Sequence, residues 1–211
     1  MKRLFVILFV LTFFVGSFLR LYRLGDIPNS LNWDEASWGY NAYSILKTGH
    51  DEHGKSFPVS FEAFGDYKQP VYVYLDSAAV ALFGLTPFAV RLPSSIFGIL
   101  CMPFLAFLVY ELLRKKAYAK EFSLAAMAFL AISPWAIQFS RVAYEATVAL
   151  GFVLLGVLTP LLCIKSKKFS VDGDWCNLSC SKHLYVPQRK NYCSTTFGWL
   201  LCFKSYLLVE T

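Results

Sequence analysis

Two adjacent carboxylates, Asp34 and Glu35, stand at the start of a helical pattern that runs to about Lys47. Asn32 can cap the first backbone N–H groups of such a helix, and Glu35, three residues later, can complete a capping box. The helix dipole favours charged carboxylates in the first turn. An ionised carboxylate there predicts a general base that accepts a proton from a hydroxyl group. Helix capping alone would also explain the pair, so both interpretations stay open.

A second polar motif occupies residues 64–70 and reads Phe-Gly-Asp-Tyr-Lys-Gln-Pro. Lys68 lies at the boundary of an apolar segment and can bind a lipid phosphate as a compact point charge. Tyr67 and Lys68 are equally typical of side chains that anchor a protein at headgroup depth. The carboxylates nearby also allow Mg²⁺ or Mn²⁺, although no further ligand spacing supports a metal site. The motif therefore indicates no certain cofactor and leaves a divalent cation open.

Charged residues also flank the hydrophobic segments farther along the chain. Arg91 begins one such segment, and Arg141 and Glu145 follow another. Arg141 and Glu145 are four residues apart, so on one helix they share a face and can pair. Ionisable residues this close to membrane helices are candidates for function. Side chains that snorkel to the interface are the alternative.

The elements that must position these residues are membrane helices. Of 211 residues, 56% are hydrophobic and 16% charged, whereas soluble proteins average about 25% charged. The long uncharged runs are residues 4–19, 92–110, 122–140 and 146–164. A helix needs about 20 apolar residues to cross the hydrocarbon core. Including a weaker run at 70–87, the pattern predicts an all-α integral membrane protein, a multi-pass bundle of four or five membrane helices.

The formal charge of +6 does not indicate a nucleic-acid partner. Residues 1–160 carry 13 Lys/Arg against 11 Asp/Glu, while residues 161–211 carry 7 against 3. Most of the positive excess therefore lies in the last quarter of the chain. The apolar composition also excludes disorder, since the chain has ample apolar surface to bury. The lipid bilayer is the predicted surrounding.

The first apolar run has Lys2 and Arg3 before it, which predicts an uncleaved helix with a cytoplasmic N-terminus. Residues 24–68 would then form an extracytoplasmic loop. One apolar helical face in this loop predicts an amphipathic helix that lies on the membrane surface. That face contains Trp38, Ala42, Ile45 and Leu46.

Residues 34 and 141 can lie on the same side of a membrane only if an even number of crossings separates them. Three apolar segments lie between them, and the basic run at 114–116 favours the cytoplasm. Both conditions are met if residues 70–87 enter the membrane without crossing it. Asp76 within that segment favours the same interpretation.

The motifs taken in order resemble a family. The acidic pair is followed by Gly-Asp-Tyr-Lys-x-Pro, by Val-Arg-Leu-Pro-Ser at 90–94, and by Ser-Pro-Trp and Phe-Ser-Arg between 133 and 141. Over about residues 15–158 this order resembles the polyprenyl-phosphate-sugar-dependent glycosyltransferases of the GT-C superfamily. The branch is that of protein O-mannosyltransferases and of the aminoarabinose transferase that modifies lipid A. Such enzymes are multi-helix bundles of a bacterial-type plasma membrane with an extracytoplasmic active site.

The resemblance implies a role for each candidate residue. Asp34 matches the base that activates the acceptor, with Glu35 beside it as a second catalytic candidate. Lys68 matches the lysine that holds the carrier phosphate. The remaining matches are Arg91 and Arg141 for phosphate binding and Tyr67 and Glu145 in the cavity. The implied partners are a polyprenyl-phosphate-linked sugar donor and a protein, lipid or glycan acceptor, and the implied transfer inverts the sugar.

The composition changes after about residue 158. Cys101 is alone in the first 160 residues, and five cysteines follow. One permitted back-translation of residues 180–190, read one base later, gives Tyr-Thr-Tyr-His-Ser-Ala, which resembles the next family motif. The cysteine and histidine spacings fit no standard zinc finger. We expect residues 1–158 to be the N-terminal part of a GT-C membrane domain and 159–211 an out-of-frame tail without an evolved fold.

The sequence thus predicts a mannosyltransferase-like hexosyl or pentosyl transferase, and in its truncated form an inactive one. The alternative is a non-catalytic multi-pass membrane protein such as a transporter or an assembly subunit. A transporter would need polar groups near the middle of the membrane and repeat-like halves. Here the polar groups gather at helix ends.

Overall fold

The computed structural model describes residues 2–165, which are mainly helical. Seven helices and one two-stranded hairpin follow one another in this part of the chain. They are α1 (Lys2–Leu21), α2 (Trp33–Thr48), β1 (Phe61–Ala63), β2 (Asp66–Lys68), α3 (Pro70–Phe83), α4 (Pro87–Leu113), α5 (Ala119–Ile132), α6 (Pro134–Arg141) and α7 (Glu145–Lys165). The prediction of an all-α, multi-pass membrane protein is confirmed.

Three helices of the described part are long and apolar enough to cross a membrane. They contain the segments Arg3–Leu21, Pro87–Leu113 and Glu145–Leu162. Helices α5 and α6 are bent by 57° against each other and make a fourth crossing if they form one broken span. This count lies at or below the lower end of the predicted range. Helix α3 has 14 residues, about 21 Å at 1.5 Å per residue, which is too short to cross.

The bend between α5 and α6 follows from Ser133 and Pro134. A residue before proline avoids the helical conformation, and Ser133 is extended, with φ −61° and ψ 118°. The carbonyl groups at the end of α5 lose their helical partners there. Arg20 of α1 replaces these partners by donating to the carbonyls of residues 130 and 131, at 2.9 and 3.2 Å. The break is therefore a fixed feature of the bundle.

Helix α2 is amphipathic as predicted, but its apolar face packs against protein. Trp38, Ala42 and Ile45 are buried in one cluster with Tyr72 of α3. The rings of Trp38 and Tyr72 lie 4.8 Å apart. Leu46 stays 43% exposed. The expectation that this face rests on the membrane surface is therefore corrected: α3 and α4 supply enough apolar surface to cover it.

Helix α3 carries an acid, Asp76, within an apolar segment, and the protein around it shields this side chain. Its side chain is fully buried among protein groups, and neither carboxyl oxygen has a hydrogen-bond partner in the described part of the chain. Helix α3 packs against both α2 and α4. An acid facing lipid would be costly, so α3 is an internal element of the bundle, which agrees with the interpretation of 70–87 as a segment that does not cross.

The predicted boundary between residues 158 and 159 falls inside α7, which continues to Lys165. The rest of the predicted tail, residues 166–211, lies outside the described residues.

Helices α4 and α6 approach each other through small residues. The hydroxyl groups of Ser94 and Ser95 donate to the carbonyls of Phe139 and Ser140, at 3.0 and 2.7 Å. One turn later Gly98 faces Ser140, and a Cβ atom added at position 98 would overlap the Ser140 side chain. Small residues are what allows membrane helices to approach closely. The contact between α4 and α6 therefore requires glycine at position 98.

Replacement of Gly98 by alanine is expected to lower the free energy of unfolding by about 1–3 kcal/mol, the usual cost of overpacking. The measurement is the thermal midpoint of the purified chain in detergent. Gly156→Ala in α7 is the matched control, because a Cβ added at Gly156 meets no atom within 4 Å. Alanine is the better helix former, so the control keeps or raises the midpoint. Equal midpoints for the two variants would contradict the close contact.

Candidate functional site

The start of α2 is fixed by the predicted capping box. The Asn32 side chain accepts a hydrogen bond from the backbone N–H of Glu35 at 2.7 Å, and the Glu35 carboxylate accepts from the Asn32 N–H at 3.0 Å. Both reciprocal bonds satisfy N–H groups that the helix itself leaves free. The capping interpretation is confirmed, and it orients Asp34 and Glu35 in different directions.

Glu35 lies in the interior, where it forms an ion pair with Arg91. The Arg91 Nε and Nη2 atoms lie 2.9 and 3.2 Å from the two carboxylate oxygens, and both side chains are almost completely buried. The backbone N–H of Ala143 donates to the same carboxylate at 2.9 Å. With the Asn32 bond, each oxygen accepts two hydrogen bonds. The carboxylate is thus saturated by groups that hold the fold, and the catalytic role expected for Glu35 stays a prediction.

The side chains of Arg91 and Arg141 are also occupied by hydrogen bonds within the fold. Arg91 also donates to the carbonyls of Leu24, Pro28 and Ser30. Arg141 donates to the carbonyls of residues 19 and 27, at 2.8 and 3.1 Å. Both guanidinium groups are buried and bind the connection between α1 and α2, and Arg141 also binds the last turn of α1. In this structure both guanidinium groups are occupied by carbonyls, and their binding of carrier phosphate stays a prediction.

Arg141 and Glu145 do not share a helix face. Helix α6 ends at Arg141 and α7 begins at Glu145, so the i, i+4 geometry expected for a pair is absent. Glu145 turns instead toward the hairpin, where its Oε2 atom lies 3.4 Å from the backbone N–H of Gln69. The extended residue Val142 separates the two helices.

Asp34, Lys68 and Asp66 form the accessible charged cluster. The Lys68 ammonium lies 2.8 Å from Asp34 Oδ1 and 3.1 Å from Asp66 Oδ2. The side chains of Lys68 and Asp34 are 14% and 28% exposed, and that of Asp66 is 71% exposed. An ammonium has three donors, so one donor stays available for an incoming acceptor. The cluster is thus partly desolvated and open to ligand.

The hairpin positions Lys68 in this cluster. Strands β1 and β2 pair antiparallel, with Phe61 opposite Lys68 and Ala63 opposite Asp66. Phe61 and Ala63 are buried against the core. Because β2 pairs with β1, this burial also fixes the position of β2. Since residues two apart on a strand point to the same face, Asp66 and Lys68 project together.

The charges in the cluster stabilise one another. The hydrogen bond to Asp34 is the main cause that raises the pKa of Lys68 above its ordinary 10.5, with a smaller contribution from Asp66 against an opposing effect of burial. The hydrogen bond from Lys68 is the main cause that lowers the pKa of Asp66 below its ordinary 3.8. Lys68 therefore contributes stability that is full below pH 10.5 and lost above its raised pKa. Asp66 contributes stability above pH 3.8 that is lost as the pH falls through its lowered pKa.

The structure brings several predicted residues to one end of the bundle. Asp34 and Lys68 are in direct contact, and Glu145 reaches the backbone next to Lys68. Tyr67 lies between Asp66 and Lys68 on β2, and its exposed side chain projects from the opposite face of the strand. The polar loop and the start of α7 thus share a side, as the argument from crossings required, with α3 too short to count as a crossing.

The metal prediction gains no ligand set from this geometry. Among residues 2–165 no group of three or more His, Cys, Asp or Glu side chains could hold a metal ion. The two carboxylates that converge, those of Asp34 and Asp66, are bridged by the Lys68 ammonium. The residues described here therefore assign no role to the divalent cation that the sequence left open.

Sequence reasoning did not assign Asp66 to the site. A sequence pattern could have indicated it, because Asp66 lies two residues before Lys68 in a short extended segment. Strand periodicity puts both side chains on one face. Arg20 was also not predicted to act, and its role at the α5 break depends on a contact more than a hundred residues away. That contact leaves no local pattern in the sequence.

The fold and the cluster together define a multi-pass membrane protein with a polar site at one end of its helices. Comparison with protein families makes the assignment more specific. Residues 7–176 match the family of dolichyl-phosphate-mannose-protein mannosyltransferases. The match covers more than half of the chain, so the chain belongs to this family, as the resemblance of the motifs indicated. No curated protein and no solved structure matches the chain.

Membership defines the broad chemistry. The family is one of membrane glycosyltransferases that take mannose from a polyprenyl-phosphate carrier and have a protein as acceptor. The donor's lipid tail agrees with the apolar helices of this chain.

Proposed function

We propose that this chain carries the donor-phosphate and base groups of an inverting, GT-C-type mannosyltransferase. In this proposal Asp34 is the general base and Lys68 binds the phosphate of the carrier. The observation that supports it most strongly is the 2.8 Å contact between these two side chains at a partly exposed position. A carboxylate and a cation held side by side provide what transfer from a phosphate leaving group requires.

The proposed reaction is a single displacement at the anomeric carbon of the mannose. The acceptor hydroxyl oxygen forms a bond to that carbon while the bond from the carbon to the phosphate oxygen breaks. The hydroxyl proton passes to the Asp34 carboxylate. The electron pair of the breaking bond stays with the phosphate, whose added negative charge Lys68 stabilises.

Inversion requires the base and the leaving group to lie on opposite faces of the sugar carbon. In the structure Asp34 and Lys68 touch, so the bound donor must separate them. The donor phosphate is a diester with one negative charge, and this charge grows as its bond to the sugar breaks, so its attraction for the Lys68 ammonium increases along the reaction. Asp66 stays within reach of Lys68 on the same strand face and keeps the ammonium in place. Separation of the pair leaves the Asp34 carboxylate free to accept a proton.

The active site is proposed to lie on the extracytoplasmic face of a bacterial-type plasma membrane. Lys2 and Arg3 at the start of α1 favour a cytoplasmic N-terminus, and one crossing by α1 then puts the cluster outside. A protein hydroxyl is the proposed acceptor, in keeping with the family, and a lipid or glycan hydroxyl is the alternative. A transporter role lacks support, because the buried guanidinium groups of residues 20, 91 and 141 bind backbone carbonyls.

Replacement of Lys68 by alanine is expected to weaken the binding of a short prenyl phosphate about tenfold or more, since hydrogen bonds to charged groups contribute about 1.5–3 kcal/mol. The measurement is a titration of the purified chain in detergent with farnesyl phosphate. Lys55→Ala is the matched control, because Lys55 belongs to the same loop but pairs with Glu62 at an exposed position. Unchanged binding by Lys68→Ala would contradict the proposed phosphate site.

A further inference from the structure

Two exposed aromatic residues adjoin the charged cluster along the chain. Trp33 is the first residue of α2, and Phe64 lies in the turn between β1 and β2. Each is 73% exposed. Their ring centroids are 6.2 Å apart with 32° between the ring planes. We refer to Trp33 and Phe64 as the aromatic pair.

Packing does not explain the aromatic pair. Neither ring belongs to a buried cluster of the described residues. Phe64 has φ 53°, in the left-handed region, where a bulky side chain is uncommon. Two-residue hairpin turns prefer asparagine, aspartate or glycine at such a position. A phenylalanine here costs conformational strain and gains no burial, which points to a role outside folding.

Charged groups border the aromatic pair. Asp34 follows Trp33 directly in the chain, and Lys68 touches Asp34. Asp66 lies two residues beyond Phe64 on the same hairpin and also contacts Lys68. The start of α2 and the hairpin therefore each carry one ring of the pair and at least one charged group of the cluster.

We propose that the aromatic pair binds the pyranose ring of the sugar donor, an inference that rests on the proposed function and deepens it. A pyranose has faces lined by C–H bonds and an edge of hydroxyl groups. The C–H face fits the negative face of an aromatic ring, and the hydroxyl groups can donate to carboxylates. The ring seated on Trp33 and Phe64 puts the anomeric carbon beside Asp34 and its phosphate beside Lys68. The pair acts as a positioning element for the transferred sugar.

A membrane anchor is the competing use of exposed aromatic residues, which are enriched at bilayer interfaces. The position of the pair favours the sugar, because Trp33 directly precedes Asp34 on α2 and Phe64 lies in the turn of the hairpin that carries Lys68. Anchoring residues need no such neighbours. The two uses also differ in the ligand they require, so one experiment separates them.

The test is a titration of the full chain, purified in detergent, with methyl α-D-mannopyranoside. Trp33→Ala and Phe64→Ala are each expected to weaken binding about five- to tenfold, as the loss of a stacking contact implies. Trp33→Phe, which keeps an aromatic face, retains most of the affinity. Trp135→Ala is the matched control, because Trp135 is 75% exposed and lies on α6, and it binds like the parent.

Parent-like binding by both alanine variants overturns the proposal, and so does an equal loss in Trp135→Ala. Partition into phosphatidylcholine–phosphatidylglycerol vesicles is measured alongside. Loss of partition with unchanged mannoside binding would identify a bilayer anchor instead. The mannoside has no phosphate, so farnesyl phosphate is titrated separately against the parent chain. If the parent chain binds the mannoside but not farnesyl phosphate, the proposed function is contradicted, whereas the binding of a sugar by the aromatic pair is still supported.

Discussion

Replacement of Arg91 by leucine is expected to lower the free energy of unfolding by about 3–5 kcal/mol, the cost of leaving a buried charge without its partner. The Glu35 carboxylate would keep only the backbone N–H groups of Asn32 and Ala143. The carbonyls of residues 24, 28 and 30 would lose their donors as well. Since whole domains are stable by about 5–15 kcal/mol, this loss removes a large share of the total.

The measurement is the thermal midpoint in detergent, compared with that of Lys55→Ala. Lys55 and Glu62 form an ion pair in the same loop, with side chains 52% and 40% exposed. Exposed pairs contribute about 0–1 kcal/mol, so the thermal midpoint of Lys55→Ala should stay close to that of the parent. If the two variants lose equal stability, the Glu35–Arg91 pair does not hold the loop to α4.

A double variant separates the pair from its surroundings. Glu35→Leu alone also leaves a buried charge, that of Arg91, although three carbonyls still accept from it. Combining Arg91→Leu with Glu35→Leu removes both charges and should cost less than the sum of the two single changes. The deficit measures the coupling between the two side chains. Additive losses would show that the pair contributes nothing beyond its separate contacts.

Replacement of Asp34 by asparagine, in a version of the protein that transfers mannose, is expected to lower the rate of transfer about 10²–10⁴-fold, the usual contribution of a general base. Asparagine has the size of aspartate but cannot accept the hydroxyl proton. The substrate of the assay is polyprenyl-phosphate mannose with a serine- or threonine-containing peptide. Product formation per enzyme molecule is the quantity measured.

Folding and catalysis are distinguishable in this experiment. Asp34 is partly exposed, unlike Glu35, so Asp34→Asn should keep a thermal midpoint near that of the parent. Asp26→Asn is the matched control, because Asp26 lies in the same polar loop and pairs with Arg23 at an exposed position. Transfer that persists in Asp34→Asn removes this carboxylate from the mechanism.

Sequence patterns determined the class of the protein because they depend on local properties. Uncharged runs long enough to cross a bilayer predict membrane helices wherever they occur. The capping box needs only residues 32 and 35, and both bonds are present. The helix with Asp76 has 14 residues and is too short to cross, in keeping with the prediction drawn from its acid. Each of these features is set by residues within a few turns of one another.

The tertiary structure decided which charged residues are free to act. Asp34 and Glu35 are neighbours of similar chemistry. The buried Glu35 pairs with Arg91, whereas the partly exposed Asp34 contacts Lys68. The resemblance assigned Arg91 and Arg141 to phosphate, whereas both bind backbone carbonyls far away in the chain. A guanidinium has the same donors in either role. Its function depends on which acceptors the fold brings within about 3 Å, and distances of that kind between remote segments are set by packing.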